Sequence, residues 1–157
     1  MYEFLEETVQ SNMTQSIRSV APEMTVSDLL RLFAIDDADA YPVVSQGAII
    51  GIVSKADALK AFGLRPAEII PHYDDLLGTT VDEIMTRQVM CVDAGTPLQR
   101  VLHEMVSHHF KTLPVVDDNN RLQGMIRRDD VIRALARCTR PQALPLAAPA
   151  VGYYAIA

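Results

Sequence analysis

Residues 42–57 read PVVSQGAIIGIVSKAD, and a similar stretch, PVVDDNNRLQGMIRRDD, occupies residues 114–130. Each stretch begins with Pro-Val-Val, passes through turn-forming residues and continues into a second apolar run that ends at an aspartate. Two short β-branched runs separated by turn residues are typical of a β-hairpin. The second stretch is one residue longer, and its extra residue falls in the turn, where a change of length disturbs a fold least. The chain therefore contains one hairpin twice.

The repeat extends well beyond the hairpin. A shift of 72 residues superimposes Val9 on Val81 and the whole of Pro42-Val43-Val44 on Pro114-Val115-Val116. After the extra residue, a shift of 73 brings Gly51 onto Gly124 and Asp57 onto Asp130. Self-similarity at a fixed period indicates duplicated structural units.

A helix is predicted before each hairpin and another after it. Apolar residues at helical spacing predict the first helix of each copy, and they are Val26, Leu29, Leu30 and Phe33 in one copy and Leu98, Val101, Leu102 and Met105 in the other. Thr25 and Thr96 each begin a capping-box pattern, with Pro97 at the first helical position of the second copy, so the two helices are expected to start one residue out of register. Closing helices are predicted over 55–62 and 128–136, and extended pieces around Val20 and Val92 open the copies.

The predicted fold class is therefore α+β, with two β-α-β-β-α repeats. Its expected divisions are an N-terminal extension (1–8), repeat 1 (9–62), a linker (63–80), repeat 2 (81–137) and a Pro/Ala-rich tail (138–157). The linker has a possible short helix around residues 74–77. The tail could be disordered, clasp the body or cover a partner subunit.

Charge and composition argue against nucleic-acid binding and against a membrane-spanning segment. The net charge of −6 disfavours nucleic-acid binding through phosphate neutralisation. Residues 1–80 carry 5 basic and 12 acidic side chains, whereas residues 81–157 carry 9 and 8, so an anionic ligand would find most cationic partners in the second half. No run approaches the ~20 apolar residues of a membrane span. Without a secretory signal or a disulfide framework, a cytoplasmic location is expected.

The ordered series V-x-x-x-M-T, amphipathic helix, P-V-V and G-h-h-x-x-x-D (h, hydrophobic), found twice, resembles the cystathionine-β-synthase (CBS) domain. The resemblance covers roughly residues 9–137. It implies that two repeats pack as a pseudo-two-fold pair, that clefts between them bind adenosine-containing ligands, and that two pairs associate as a homodimer.

The resemblance places Ser54 and Asp57 at the ligand ribose in repeat 1. An ionised carboxylate can accept hydrogen bonds from both ribose hydroxyls. The same S-x-x-D pattern is also a capping box that requires no ligand. In repeat 2, Asp130 keeps its position but Arg127 replaces the serine, which predicts one good site and one altered site. Arg127 could hold a phosphate or lie solvated on the surface.

The resemblance also implies ligand contacts from residues beside each Pro-Val-Val strand. Tyr41 and Pro42 are the candidates in repeat 1, where neighbouring aspartates 36, 37 and 39 disfavour a triphosphate. In repeat 2 the candidates are Lys111, Thr112 and Pro114, with Lys111 as a phosphate contact. Thr14, in the first Met-Thr pair, completes the predicted ligand-binding residues.

The sequence contains no recognisable nucleophile, metal-binding or phosphate-loop motif, so an enzyme is not expected, and no cofactor or metal is required. The predicted function is a regulatory module that binds AMP or ADP in preference to ATP and acts on an unidentified protein. The alternatives are a structural dimerisation module with vestigial clefts, and a sensor of another adenosyl ligand such as S-adenosylmethionine or a dinucleotide.

Overall fold

The computed structural model describes residues 2–62 and 73–139. Their elements follow the chain in this order: α1 (Tyr2–Glu6), α2 (Val9–Asn12), α3 (Val26–Ile35), β1 (Ala40–Ser45), β2 (Ala48–Ser54), α4 (Lys55–Ala61), α5 (Tyr73–Gly78), α6 (Val81–Ile84), α7 (Leu98–His108), β3 (Thr112–Val116), β4 (Leu122–Arg127) and α8 (Arg128–Cys138). The fold is α+β, with two small antiparallel sheets, as the sequence predicts.

Each predicted hairpin forms, β1 with β2 and β3 with β4. The predicted opening strands each form a single parallel bridge, Val20 with Val43 and Val92 with Val115. Pro42, which cannot donate a backbone hydrogen bond, is the third residue of β1. This position is tolerated because the bridge at Val20 uses only the Pro42 carbonyl and the Val44 N–H on that side of the strand.

The expectation that α3 and α7 start out of register is wrong. They begin at Val26 and Leu98, which are equivalent under the 72-residue shift. Thr25 caps α3 by accepting the Asp28 N–H, as predicted. Pro97, not Thr96, is the N-cap of α7, and no side chain caps that helix. Thr96 instead closes a turn, its N–H donating to the carbonyl of residue 93.

The two repeats are related by a pseudo-two-fold axis, because every inter-repeat bridge has an equivalent. Thr14 exchanges two backbone hydrogen bonds of 2.9 Å with Met125, and its counterpart Thr86 exchanges two of the same length with Ile52. Gly51 and Gly124 make these bridges possible. A Cβ at Gly124 would lie 2.7 Å from the Thr14 carbonyl oxygen, and one at Gly51 would lie 2.6 Å from a methionine sulfur.

The hydrophobic cores are completed by exchange between the repeats. The core of repeat 2 contains Phe4 from the N-terminal extension and Val9 from the start of repeat 1, both buried. The core of repeat 1 contains Val81 and Met85 from the start of repeat 2. Neither sheet-and-helix unit therefore buries its apolar face without the opening helix of the other repeat, which fixes the two units to each other and positions the clefts between them.

The predicted linker helix is present as α5. The predicted closing helix over 55–62 ends at Ala61, whereas linker residues 63–72 and the tail from residue 140 lie outside the described residues. Within residues 2–62 and 73–139, no helix combines the length and apolar character needed to cross a lipid bilayer.

Candidate functional site

Two clefts lie where the repeats meet. The smaller, here called the Asp57 cleft, has a volume of about 370 Å³. It is lined by residues 39, 40, 52, 54–57, 60, 86, 88–90 and 109–114. The larger, here called the Tyr41 cleft, has a volume of about 920 Å³. It is lined by residues 16–18, 35–42, 111, 112, 125 and 127–129.

Each cleft combines the start of a closing helix from one repeat with the Pro-Val-Val strand of the other. The Asp57 cleft joins Ser54 and Asp57 of repeat 1 to Lys111, Thr112 and Pro114 of repeat 2. The sequence left open which copies would meet, and the structure pairs them across the pseudo-two-fold axis.

The Tyr41 cleft contains Tyr41 and Pro42 of repeat 1 and Arg127 of repeat 2, with Lys111 and Thr112 also on its wall. Two predicted site residues line neither cleft. Thr14 is engaged in the backbone bridge to Met125, and Asp130 is buried.

Asp57 is positioned as the reciprocal member of a capping box. Its Oδ2 accepts hydrogen bonds from the Ser54 N–H (2.9 Å) and the Ser54 hydroxyl (2.7 Å), while its own N–H donates to Ser54 Oγ at 3.1 Å. Its Oδ1 lies 3.8 Å from Lys60 Nζ, and 13% of the side chain is exposed. The carboxylate is turned onto its own helix start, yet the cleft beside it is open and Oδ1 retains acceptor capacity.

The equivalent aspartate in repeat 2 is held more tightly. Asp130 Oδ2 accepts the Arg127 N–H at 2.8 Å, and its Oδ1 pairs with the Arg133 guanidinium. Only 2% of its side chain is exposed. One oxygen faces the helix start and the other faces Arg133, so the Asp130 carboxylate is less accessible to a ribose than that of Asp57. Its predicted ligand contact stays a prediction. The Arg127 side chain is exposed on the wall of the Tyr41 cleft.

Tyr41 is packed into the core of repeat 1. The residue is 2% exposed, and its ring packs against Phe33 with centroids 4.9 Å apart. Its hydroxyl donates to Asp36 Oδ2 at 2.8 Å. Burial, reinforced by Asp36, raises the pKa of Tyr41 to about 12. Tyr41 lines the larger cleft with little of its surface exposed, and its predicted ligand contact stays a prediction.

The clefts also differ in charge. Lysines 55, 60 and 111 face aspartates 39 and 57 in the Asp57 cleft, an excess of one cation. The Tyr41 cleft balances four cations (Arg18, Lys111, Arg127, Arg128) against four aspartates (Asp36, Asp37, Asp39, Asp129). The Asp57 cleft is thus the better made of the two for an anion.

Several lining residues were missed by the sequence reasoning. Val89, Met90 and Phe110 give the Asp57 cleft an apolar wall, and Lys60 adds a cation. Arg18, near Asp36 in the Tyr41 cleft, was missed as well. The repeat itself carried a signal for part of this set, because residues 17 and 18 of one cleft are the counterparts of 89 and 90 of the other.

No group of three or more His, Cys, Asp or Glu side chains among residues 2–62 and 73–139 is arranged to hold a metal ion. Cys91 and Cys138 are free thiols, and burial raises the pKa of Cys91. A raised pKa leaves less of the reactive thiolate at neutral pH.

Comparison with known proteins identifies the duplicated unit. Residues 7–64 and 81–137 each match the sequence model of the CBS domain. The chain belongs to the CBS domain family. Its two matched CBS domains correspond to the two repeats, and similar solved structures are CBS domain pairs, as the resemblance implied.

Three proteins illustrate the likeness of this CBS pair. MJ1225 of Methanocaldococcus jannaschii is 28% identical over 135 residues, covering 83% of this chain and 48% of that protein, and its crystal structure superimposes with a TM-score of 0.78. CBSX2 in complex with AMP is 27% identical, with a TM-score of 0.72, covering 85% of this chain and 98% of CBSX2. The cytosolic domain of the Mg²⁺ channel MgtE in complex with ATP is 28% identical, with a TM-score of 0.65, covering 82% of this chain and 48% of that one.

This chain spans about half the length of the first curated relatives it matches, 48% of MJ1225 and 47% of MJ0188 from the same organism. The likeness therefore concerns the CBS pair and not the remainder of those proteins.

Proposed function

We propose that this CBS pair is a regulatory module that binds an adenosine mononucleotide in the Asp57 cleft. The observation that carries the proposal is the assembly, in one open cleft, of Ser54 and Asp57 from repeat 1 with Lys111 and Thr112 from repeat 2. A ligand that bridges these residues contacts both repeats at once.

The cleft offers a partner to each part of such a ligand. Asp57 Oδ1 can accept hydrogen bonds from ribose hydroxyls, and the lysines can pair with phosphate. The apolar wall of Val89, Met90 and Phe110 suits a purine base. CBS pairs with AMP and with ATP bound are among the similar structures, which supports an adenosine-containing ligand without deciding between the two.

Size and charge favour AMP or ADP over ATP or a dinucleotide. The volume of about 370 Å³ is near the lower end of the roughly 300–1,000 Å³ typical of ligand pockets. One excess cation matches a short phosphate chain better than a triphosphate.

The proposed role is regulatory rather than catalytic. Because the cleft lies between the repeats, an occupant that prefers one arrangement of the repeats would bias that arrangement and the contacts of an unidentified partner protein. A cytoplasmic setting, where adenine nucleotides are abundant, fits this role.

Homodimer formation is part of the proposal. Leu59 on α4 and Ile132 on α8 are equivalent under the 73-residue shift, and they are 69% and 60% exposed. A contiguous exposed apolar patch is typical of an interface, and we propose that these two side chains belong to one. Light scattering should show a dimer that becomes a monomer when both are changed to aspartate.

One observation favours the alternative of a structural module with vestigial clefts. Asp57 and Asp130 both accept hydrogen bonds from the start of their own helices, so neither carboxylate needs a ligand as its hydrogen-bond partner.

Thermal unfolding separates these possibilities. We expect AMP to raise the melting temperature, and a concentration about 100 times the dissociation constant to add about 2.7 kcal/mol of stability. ADP should act similarly, and ATP, NAD and S-adenosylmethionine less. Asp57→Asn should abolish the shift, whereas Asp28→Asn, a matched helix-start aspartate on α3 and outside both clefts, should retain it. No shift with any of the five compounds would contradict the proposal and leave the structural module.

A further inference from the structure

Asp39 and Lys111 occupy equivalent positions in the two repeats, 72 residues apart, yet carry opposite charges. Their side chains meet as an ion pair across the pseudo-two-fold axis, with Lys111 Nζ 3.4 Å from Asp39 Oδ1. Both residues line both clefts. The pair therefore stands on the boundary between the Asp57 cleft and the Tyr41 cleft.

The backbones of the two residues are fixed while their side chains remain exposed. The Asp39 carbonyl accepts the Lys55 N–H, and the Lys111 carbonyl accepts the Arg128 N–H, both at 3.0 Å. The two side chains are 52% and 62% exposed. An exposed ion pair of this kind stabilises a fold only weakly, so an anion in the cleft can displace the Asp39 carboxylate from Lys111.

This exchange has a direct consequence for the cleft. Lys111 is one of the three lysines that line the Asp57 cleft. While its ion pair with Asp39 is intact, the Lys111 ammonium group is less available to any other anion. A phosphate that binds Lys111 must first displace the Asp39 carboxylate, or share the ammonium group with it. A neutral adenosine makes no such demand.

We infer that Asp39 is a specificity-determining residue of the Asp57 cleft, an internal competitor of the ligand phosphate for Lys111. This inference rests on the proposed nucleotide site. Asp39 lowers the affinity of the cleft for anions in general, so that a phosphate alone is disfavoured and tight binding requires the nucleoside contacts as well.

Isothermal titration at low ionic strength tests the inference with AMP, adenosine and inorganic phosphate as probes. Asp39→Asn should bind AMP about two- to fivefold more tightly than the wild type, because the phosphate no longer has to disrupt a weak surface ion pair. Its affinity for adenosine should be unchanged, and inorganic phosphate should gain by a similar factor to AMP. The gain should decline at high salt, which screens exposed charges.

Two further variants make the test specific. Asp37→Asn removes the same charge two residues away, from a position that lines only the Tyr41 cleft, and should tighten AMP binding less than Asp39→Asn does. Combining Asp39→Asn with Lys111→Met should abolish the gain in AMP affinity, because the ammonium group for which Asp39 and the phosphate compete is gone.

Equal gains from Asp39→Asn and Asp37→Asn, or a gain that survives Lys111→Met, would overturn the inference and leave the nucleotide site intact. A wild-type protein that binds neither AMP nor adenosine would overturn the proposed function, and this inference with it.

Discussion

The Asp57 cleft and the Tyr41 cleft are assembled from equivalent segments of the two repeats, but their chemistry has diverged. In the first, a serine caps the closing helix and its aspartate is 13% exposed beside three lysines. At the equivalent helix start beside the second, Arg127 stands in place of the serine, and the aspartate lies outside the cleft, 2% exposed and paired with Arg133. The backbone frame is duplicated, whereas the few side chains that could meet a ligand are not. The difference teaches that a symmetric backbone frame can carry two clefts of different chemistry.

The largest expected effect concerns the glycines that bring the repeats together. Gly124→Ala should lower the free energy of unfolding by about 3 kcal/mol, because its Cβ would meet the backbone oxygen of Thr14. Gly51→Ala should cost about 1 kcal/mol, because its nearest obstacle is the flexible sulfur of Met85. Urea unfolding of both variants checks the order. Equal losses, or a larger loss at Gly51, would contradict the asymmetry of the two bridges.

The two aspartates should separate stability from binding. Asp130→Ala should cost about 2 kcal/mol of unfolding free energy, since it removes a buried carboxylate and leaves the Arg127 N–H without its acceptor. Asp57→Ala should cost about 1 kcal/mol. The response to AMP should run the other way, lost in Asp57→Ala and kept in Asp130→Ala. Melting curves with and without AMP measure both the stability and the AMP response. An AMP response that vanishes only in Asp130→Ala would contradict the assignment of the ligand to the Asp57 cleft.

Alkaline pH should reveal the buried hydroxyl of the Tyr41 cleft. Burial raises the pKa of Tyr41 to about 12 from the ~10 of an exposed tyrosine, so between these values the folded chain retains a proton that the unfolded chain releases. The stability from this group is full below pH ~10 and is lost as pH rises toward ~12, by about 1–2 kcal/mol.

Tyr41→Phe keeps the ring packing but removes the ionisable group, and it provides the control. Unfolding free energies measured at pH 9 and pH 11 should fall less in the variant than in the wild type. Identical declines would show that Tyr41 does not titrate as the structure indicates.

The smallest effect tests the substituted cap of α8. Arg127→Ser restores a hydroxyl at the helix start and should make the protein about 1 kcal/mol more stable than Arg127→Ala, which lacks one. Comparing the two variants cancels the loss of the arginine charge. If they unfold at the same denaturant concentration, the hydroxyl at this position does not cap the helix and the two helix starts differ in more than one side chain.

Much of this fold could be predicted because its signals are local. The hairpins follow from β-branched runs and turn residues, and the amphipathic helices follow from the spacing of residues such as Leu29 and Leu102. The exchange of opening helices could not be predicted, because the sequence around Val9 and Val81 does not specify into which of the two cores each of these side chains packs. The predicted start of α7 is wrong by one residue for a similar reason, since the Leu98 N–H bonds to the carbonyl of residue 7 in the N-terminal extension.

The residue types of the candidate site could be predicted, but not which residues of the two repeats share a cleft. Ser54, Asp57 and Lys111 carry recognisable chemistry, and their meeting depends on the pseudo-two-fold axis. Whether an aspartate faces a cleft or its own helix also depends on tertiary neighbours, as the pairing of Asp130 with Arg133 shows.

A crystal structure of the protein grown with AMP tests the central claim most directly. The account predicts one nucleotide in the Asp57 cleft, with its ribose hydroxyls at the Asp57 carboxylate and its phosphate beside Lys111. AMP bound only in the Tyr41 cleft, or absent from both clefts at saturating concentration, would contradict it.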